Sequence, residues 1–302
     1  DMLLTDSTSS PDIIALAEQA LALGYYDGVV FYAWDDSFFP AIAKFKAEGI
    51  PVVDPHFTSF DQAKSGLTAV VGADVVAYAK AAAESMGAKL GGKGTVAVTV
   101  GNFNQTENLV AETFKATMKE KYPDIKVLDP QEEGFDQAQA IAKAVAIIQG
   151  NPDITGAFST TGNGPTTWAR AAEDASKKDL VIISMDYTRP NLDLVKAGKV
   201  YALVAQPLYE EFYAAVELLG KAIDGKPFEY LNLLPAPIVT VKDLDKYYAF
   251  NDRAEASIQG EPAATQPPAK PHRLALIQGL KGHPVHRLMQ LGFQEGCKDL
   301  GY

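Results

Sequence analysis

Two stretches at opposite ends of the chain complete one another, and together they constrain the fold more than anything between them. Arg273-Leu-Ala-Leu-Ile-Gln278 is a short apolar run with a polar end, and Pro284 to Tyr302 carries apolar residues at Val285, Leu288, Met289, Leu291, Phe293 and Cys297. That is a strand followed by an amphipathic helix. Gly301-Tyr302 is a helix-ending pair of the kind that precedes a second parallel strand. The missing strand stands at the other end, as Asp1-Met-Leu-Leu-Thr5 with Asp6 after it.

The rest of the chain repeats the same unit. Ile13, Ile14, Leu16, Ala17, Ala20 and Leu21 mark a helix ending near Gly24, and Gly28 to Tyr32 is a buried strand. A helix over Ser37–Glu48 leads into a strand over Ile50–Val53, and Leu67–Val71 is a further strand. From Thr95 a second set begins, with strands expected at Thr95–Val100, Ile125–Leu128, Ile154–Phe158, Leu180–Ser184 and Val200–Ala205. Helices fill the intervals, one runs over Leu208–Ile223, and Ile238–Val241 is a late edge strand. Strands alternating with helices imply parallel sheets covered on both faces. After Phe250 the composition changes: Glu261-Pro-Ala-Ala-Thr-Gln-Pro-Pro-Ala-Lys-Pro271 is too rich in Pro and Ala to pack, and residues 251–272 read as an extended tether.

With 302 residues the chain is long enough for two cored domains. Its formal net charge of -11 argues against a nucleic-acid surface, which needs clustered Lys and Arg. No apolar run is long enough to span a membrane. Cys297 is the one cysteine, on an apolar helix face, and is expected to be a buried structural thiol. No signal peptide is read at Asp1, so an export signal is expected to have been removed or to lie outside this sequence.

Joined across its ends, the text running RLALIQGLKGHPVHRLMQLGFQEGCKDLGY into DMLLTDSTSSPDIIALAEQALALGYYDGVVFYA resembles the opening of a periplasmic sugar-binding protein of the ribose- and galactose-binding type, with its segments circularly permuted. The resemblance implies two doubly wound, Rossmann-like α/β domains of the type I periplasmic-binding-protein class. Residues 1–72, 207–234 and 273–302 would form the first lobe, and 73–206 with 235–250 the second. Hinge strands are expected near Val71–Asp74, Gln206–Pro207 and Leu234–Pro237. The implied function is capture of a neutral sugar or polyol between the lobes and delivery to the membrane permease of an ABC transporter. The chain would be a monomer outside the cytoplasmic membrane, in the periplasm or lipid-anchored. It would use no cofactor, bind no nucleic acid and catalyse nothing.

In open parallel sheets, ligands bind beyond the carboxyl ends of the strands. The residues at those places here are mostly neutral hydrogen-bonding groups mixed with rings, a set that suits hydroxyls and the C–H faces of a sugar. They are Tyr32, Trp34, His56, Asn108, Phe135, Thr161, Asn163, Asp186, Gln206, His283 and His286. The resemblance places Asp186 at the family's hydroxyl-accepting aspartate, Gln206 at its hinge glutamine and Phe135 at its stacking ring. It also marks departures. His283-Pro-Val-His286 replaces Asn-Pro-Phe-Phe, His56 replaces an aspartate, Val110 an arginine, and Thr161-Gly162 an Asn-Asp pair. The ligand is therefore expected to differ from ribose and galactose, with an acyclic polyol or an unusual sugar in view.

Each position has a structural reading beside the functional one. Asp186 could cap a helix, Gln206 could satisfy backbone at a crossover, Phe135 could be core, and Tyr32 and Trp34 could simply cover the sheet. His56, His283 and His286 could be metal ligands, but no Cys pair or fixed carboxylate spacing accompanies them, and no metal is expected. Gly91-Gly-Lys-Gly94 precedes a strand and is a turn, not a phosphate loop. A ligand-sensing core of a transcription regulator or membrane sensor shares the implied fold and is the alternative. An enzyme would need Asp186 paired with His56 or His283.

Overall fold

A computed structural model describes residues 1–259 and 271–302. The chain divides into two compact units, the first Asp1–Ala73, Pro207–Leu234 and Phe250–Tyr302, the second Asp74–Gln206 and Pro235–Ala249. The first unit opens with β1 (Met2–Leu4), α1 (Ser10–Leu23), β2 (Gly28–Phe31), α2 (Phe39–Ala47), β3 (Val52–Pro55), α3 (Gln62–Ser65) and β4 (Ala69–Ala73). The second contains α4 (Val75–Lys89), β5 (Gly94–Val100), α5 (Gln105–Lys121), β6 (Ile125–Val127), β7 (Gln131–Glu132), α6 (Gln137–Gly150), β8 (Ile154–Ser159), α7 (Gly164–Asp174), β9 (Val181–Met185), α8 (Arg189–Lys196) and β10 (Ala202–Val204). Then follow α9 (Leu208–Ile223), β11 (Leu231–Leu234), β12 (Ile238–Val239), α10 (Leu244–Gln259), β13 (Leu274–Gln278) and α11 (Pro284–Leu300).

The first unit's sheet has the order β1-β13-β2-β3-β4-β11, and every pairing in it is parallel. Its central strands β2, β4 and β13 are buried along their whole length because both faces are covered. Val29, Phe31, Val52, Val70, Ala275 and Ile277 share one apolar cluster with Ile13, Ala17, Ile42 and Phe45 of α1 and α2. The intervening Val30, Val53, Val71 and Leu276 are equally buried, so the two-residue period of a strand turns them to the other face. There α9 lies on β2, β3 and β4 and packs against α11. The two helices approach closely at Gly292, where a Cβ would sit 2.1 Å from the Tyr209 carbonyl oxygen.

The second unit's sheet runs β12-β10-β9-β8-β5-β6, with β7 also paired to β5. All its pairings are parallel except β12 on β10, which is antiparallel at the edge. Phe114 of α5 stacks on Phe158 of β8 at 4.4 Å between centroids, and Trp168 is fully buried. Side-chain caps begin three of its helices: Asp74, Asn104 and Asp136 accept from the backbone N–H groups of Ala77, Glu107 and Gln139.

The doubly wound α/β class read from the sequence is the observed one. One expectation is corrected. Residues 251–259 are not tether: they complete α10, with Asn251 and Ala254 buried and Arg253 paired to Glu295 of α11. Arg253-Ala-Glu-Ala256 are strong helix formers, and the Pro-rich composition begins only at Glu261-Pro262. The remainder of the expected tether up to residue 270 lies outside the described residues. β7, β11 and α10 were not foreseen.

Candidate functional site

In the second unit the carboxyl ends of β5, β8, β9 and β10 carry a connected polar array. Asp186 follows β9 directly, is 4% exposed and has φ 68°. A non-glycine residue in the left-handed region is uncommon and clusters at functional sites. Gln206, just after β10, donates from Nε2 to Asp186 Oδ1 at 3.0 Å. Asn191 of α8 holds the turn beneath them, donating from Nδ2 to the carbonyls of Gly162, Met185 and Asp186 at 2.9, 3.2 and 3.1 Å. Asp186 is not a helix cap, since α8 starts after Thr188.

Beside it lie two acids, Glu133 buried and Glu107 half-buried. Glu133, 1% exposed, accepts from Thr99 Oγ1 at 2.5 Å, Ser159 Oγ at 2.9 Å and Thr161 Oγ1. Thr99 in turn accepts from Trp168 Nε1 at 3.0 Å. Glu107 accepts from the Gly101 N–H and Thr160 Oγ1, both at 2.5 Å, and from Asn104 Nδ2 at 3.0 Å. Burial raises its carboxyl above the usual range, and those hydrogen bonds oppose the rise. Phe135 stands over this array with 64% of its surface exposed, the opposite of a core ring.

In the first unit the ends of β2, β3 and β13 carry rings. Tyr32 is 8% exposed and lies 5.8 Å from His56, 5.2 Å from Phe57, 5.0 Å from His286 and 6.3 Å from Trp34, centroid to centroid. His56 has φ 83°. Its main chain crowds β4, so that a Cβ on Gly72 would stand 2.9 Å from the His56 carbonyl oxygen. His56 Nδ1 is 2.9 Å from Oε1 of Glu211, a fully buried residue of α9. His286 is buried, with Nδ1 3.0 Å from the Gly279 carbonyl, and desolvation together with His283 lowers its pKa to about 3, so it stays neutral. His283 is the residue before α11, and burial also lowers its pKa.

The expected residues thus fall into two local groups, Asp186, Gln206, Phe135 and Thr161 in one unit and Tyr32, Trp34, His56, His283 and His286 in the other. Some are already engaged. The Thr161 hydroxyl bonds Glu133, Trp34 packs edge-on against Phe38 at 4.8 Å, and His286 anchors the loop after β13. Asn163 is exposed at the start of α7 and Asn108 half-buried in the first turns of α5. Val110, which the resemblance sets against an arginine, is a core residue. The sequence assigns no site role to Glu107, Glu133, Asn191, Asp54 or Glu211. Two of them have a local signal: Glu107 in the Asn104-x-x-Glu107 spacing of a capping box, and Asp54 in its place directly after the apolar Ile50–Val53.

The first unit also has two surface depressions of about 510 and 600 Å³, which share Asp27, Gly49 and Ile50. Asp27 and Pro51 precede β2 and β3, so the depressions open at the amino ends of the strands, away from the rings. Among the described residues no cluster of three His, Cys, Asp or Glu could hold a metal ion, and no helix is long and apolar enough to cross a membrane.

Two parallel-sheet units with strand-end polar groups define a class, and comparison with known proteins gives the family. Residues 5–227 match a profile described as "Periplasmic binding protein domain", and the chain belongs to that family. It is 26% identical over 192 residues to a D-apiose import binding protein of Actinobacillus succinogenes, covering 61% of this chain and 59% of that protein. It is 24% identical over 213 residues to a xylitol-binding protein of Mycolicibacterium smegmatis, covering 70% and 60%. The chain therefore spans less than two thirds of the length of these curated relatives. An ABC transporter periplasmic solute-binding protein from Actinobacillus succinogenes, solved with bound D-allose, shares the fold with a TM-score of 0.73 at 24% identity, over 79% of this chain and 85% of that one.

Proposed function

We propose that this chain is a solute-binding protein that captures a neutral sugar or polyol outside the cytoplasmic membrane and delivers it to the permease of an ABC transporter. The observation that carries the reading is the Asp186–Gln206 pair at the ends of β9 and β10, a buried carboxylate held in a left-handed turn with an amide beside it. Such a pair accepts and donates to vicinal hydroxyls, and hydrogen bonds to a charged group contribute about 1.5–3 kcal/mol each. Phe135, His56, His283 and Tyr32 are assigned supporting contacts, with Asn108, Asn163, Thr161, Trp34 and His286 around them. Import and binding proteins for a pentose and a pentitol among the relatives support this class of ligand over a regulator's sensor core. The protein is read as a monomer that performs no chemistry on its ligand, periplasmic or tethered by lipid.

The test is a thermal-shift and calorimetric screen against D-apiose, D-allose, xylitol and myo-inositol. A ligand bound only by the folded state raises its melting temperature by mass action. At least one member should bind, and Asp186→Ala should weaken it by about 10- to 150-fold. Unchanged affinity in Asp186→Ala and Gln206→Ala together would remove the site. Product formed from any panel member on incubation would replace binding by catalysis.

The segment order is read as circularly permuted. In support, β13 lies between β1 and β2, which reproduces the 2-1-3-4-5 order of flavodoxin-like sheets if β13 counts as the first strand. Linking residue 302 to residue 1 and opening the chain within 260–270 should leave ligand binding intact. An unfolded product would contradict this order.

A further inference from the structure

We propose that Gly101 is a specificity-determining residue of the sugar site, acting by setting the height of the Phe135 ring, and the inference rests on the reading above. Gly101 directly follows β5. Its ideal Cβ would lie 2.6 Å from both Cε1 and Cζ of Phe135 and 3.1 Å from Cγ2 of Thr161. The edge of the ring therefore rests on a bare Cα, beside the threonine methyl. A side chain at 101 and the ring in its present place exclude one another.

The backbone cannot yield easily, because it is tied on every side. The Gly101 N–H donates to Glu107 at 2.5 Å, and its carbonyl accepts from the Gly134 N–H at 3.0 Å. The Glu133 N–H donates to the Val100 carbonyl at 2.8 Å, and the Glu133 side chain is fixed by Thr99, Ser159 and Thr161. On its other side Phe135 meets Asp136, whose carboxylate caps α6. The exposed ring is the part free to move. Gly101 does not have a positive φ, so alanine is conformationally allowed there and its effect passes through the ring rather than through backbone strain.

A ring pushed off the strand end presents a tilted face. Ligands with a flat face of C–H bonds, cyclic sugars and cyclic polyols, lose contact with it, whereas an open-chain polyol can adapt. Gly101 thus selects for cyclic ligands.

The experiment is calorimetric titration of D-allose, myo-inositol and xylitol into the wild type, Gly101→Ala, Phe135→Ala, the double variant and Asp186→Ala. Gly101→Ala should weaken the two cyclic probes by about tenfold and xylitol by less than about threefold. In the Phe135→Ala background, Gly101→Ala should add nothing, because the partner it acts through is gone. Additive losses, equal losses for all three probes, or no loss would overturn the proposal. Should Gly101→Ala fail to fold, the double variant decides: recovered folding supports the ring contact, and failure of both overturns it. Loss of binding in Asp186→Ala with unchanged binding in Phe135→Ala sinks this inference while the sugar reading stands. A wild type that binds none of the panel ends both.

Discussion

The two units solve the burial of carboxylates beneath their strand ends in opposite ways. In the second, Glu133 accepts from three hydroxyls and leaves no oxygen without a partner. In the first, Asp54 and Glu211 are both 0% exposed, yet Asp54 Oδ2 and Glu211 Oε2 have no hydrogen-bond partner among the described residues. A buried polar network is stable when complete and costly when partial. The second unit's acid is therefore part of what holds its strand ends in place. The first unit's acids are a cost to its stability, and the comparison can be broken at each of them.

The largest effect is expected at Glu133. Glu133→Gln replaces an acceptor of three hydroxyl protons by a group with one acceptor oxygen and two donor hydrogens, so at least one hydroxyl loses its bond. A loss of about 2–3 kcal/mol follows, seen in calorimetry as a fall in melting temperature of roughly 4–12 °C. No change would show that the three hydroxyls are as well served by solvent, and the contrast between the units would disappear.

Asp54 should respond with the opposite sign. Its carboxyl is held well above the usual range, first by complete burial and then by the charge of Glu211, and only the Ala33 N–H at 3.3 Å opposes the rise. A folded-state pKa above the unfolded one means that the folded state binds its proton more tightly. The associated stability is fully present below the unfolded pKa and is lost as pH rises through the folded one. Asp54→Asn should therefore match the wild type near pH 4 and exceed it at pH 8, by about 1–3 kcal/mol. Melting curves across that range check it, and a difference independent of pH would mean that Asp54 does not titrate there.

The same contrast explains what the sequence disclosed. Gly28-Val-Val-Phe31 is apolar on both faces, and Thr95-Val-Ala-Val-Thr-Val100 is β-branched almost throughout, so both could be read directly as parallel-sheet strands. β11 could not, because it is a four-residue edge strand whose outward face carries the apolar Leu231 and Leu233, each 48% exposed, so apolarity does not mark burial there. Asp186 stands out in the sequence because it follows an apolar run at a strand's carboxyl end, where ligands bind in open parallel sheets. Glu133 and Glu211 do not, because a buried acid is defined by partners far along the chain: Ser159 is 26 residues from Glu133, and His56 is 155 from Glu211. Within its own helix Glu211 looks like any charge on a first turn. Its spacing from Leu208, Phe212 and Ala215 puts it on their face of the helix, but only the fold shows that Glu211 is buried there and that His56 meets it.

Glu211 gives the smallest and most discriminating effect. Burial raises its carboxyl as it does that of Asp54, but here His56 lowers it again, through both its charge and its hydrogen bond. The two causes oppose, so Glu211→Gln should flatten the pH dependence of stability less than Asp54→Asn does, with a change below about 1 kcal/mol. The glutamine oxygen can still accept from His56 Nδ1–H, so the imidazole keeps its tautomer and orientation. Between pH 6 and 8 the melting temperature of Glu211→Gln should thus lie between those of the wild type and Asp54→Asn. If Glu211→Gln is instead the more stabilising of the two, the His56 bond does little to offset burial, and the first unit carries two uncompensated acids in place of one.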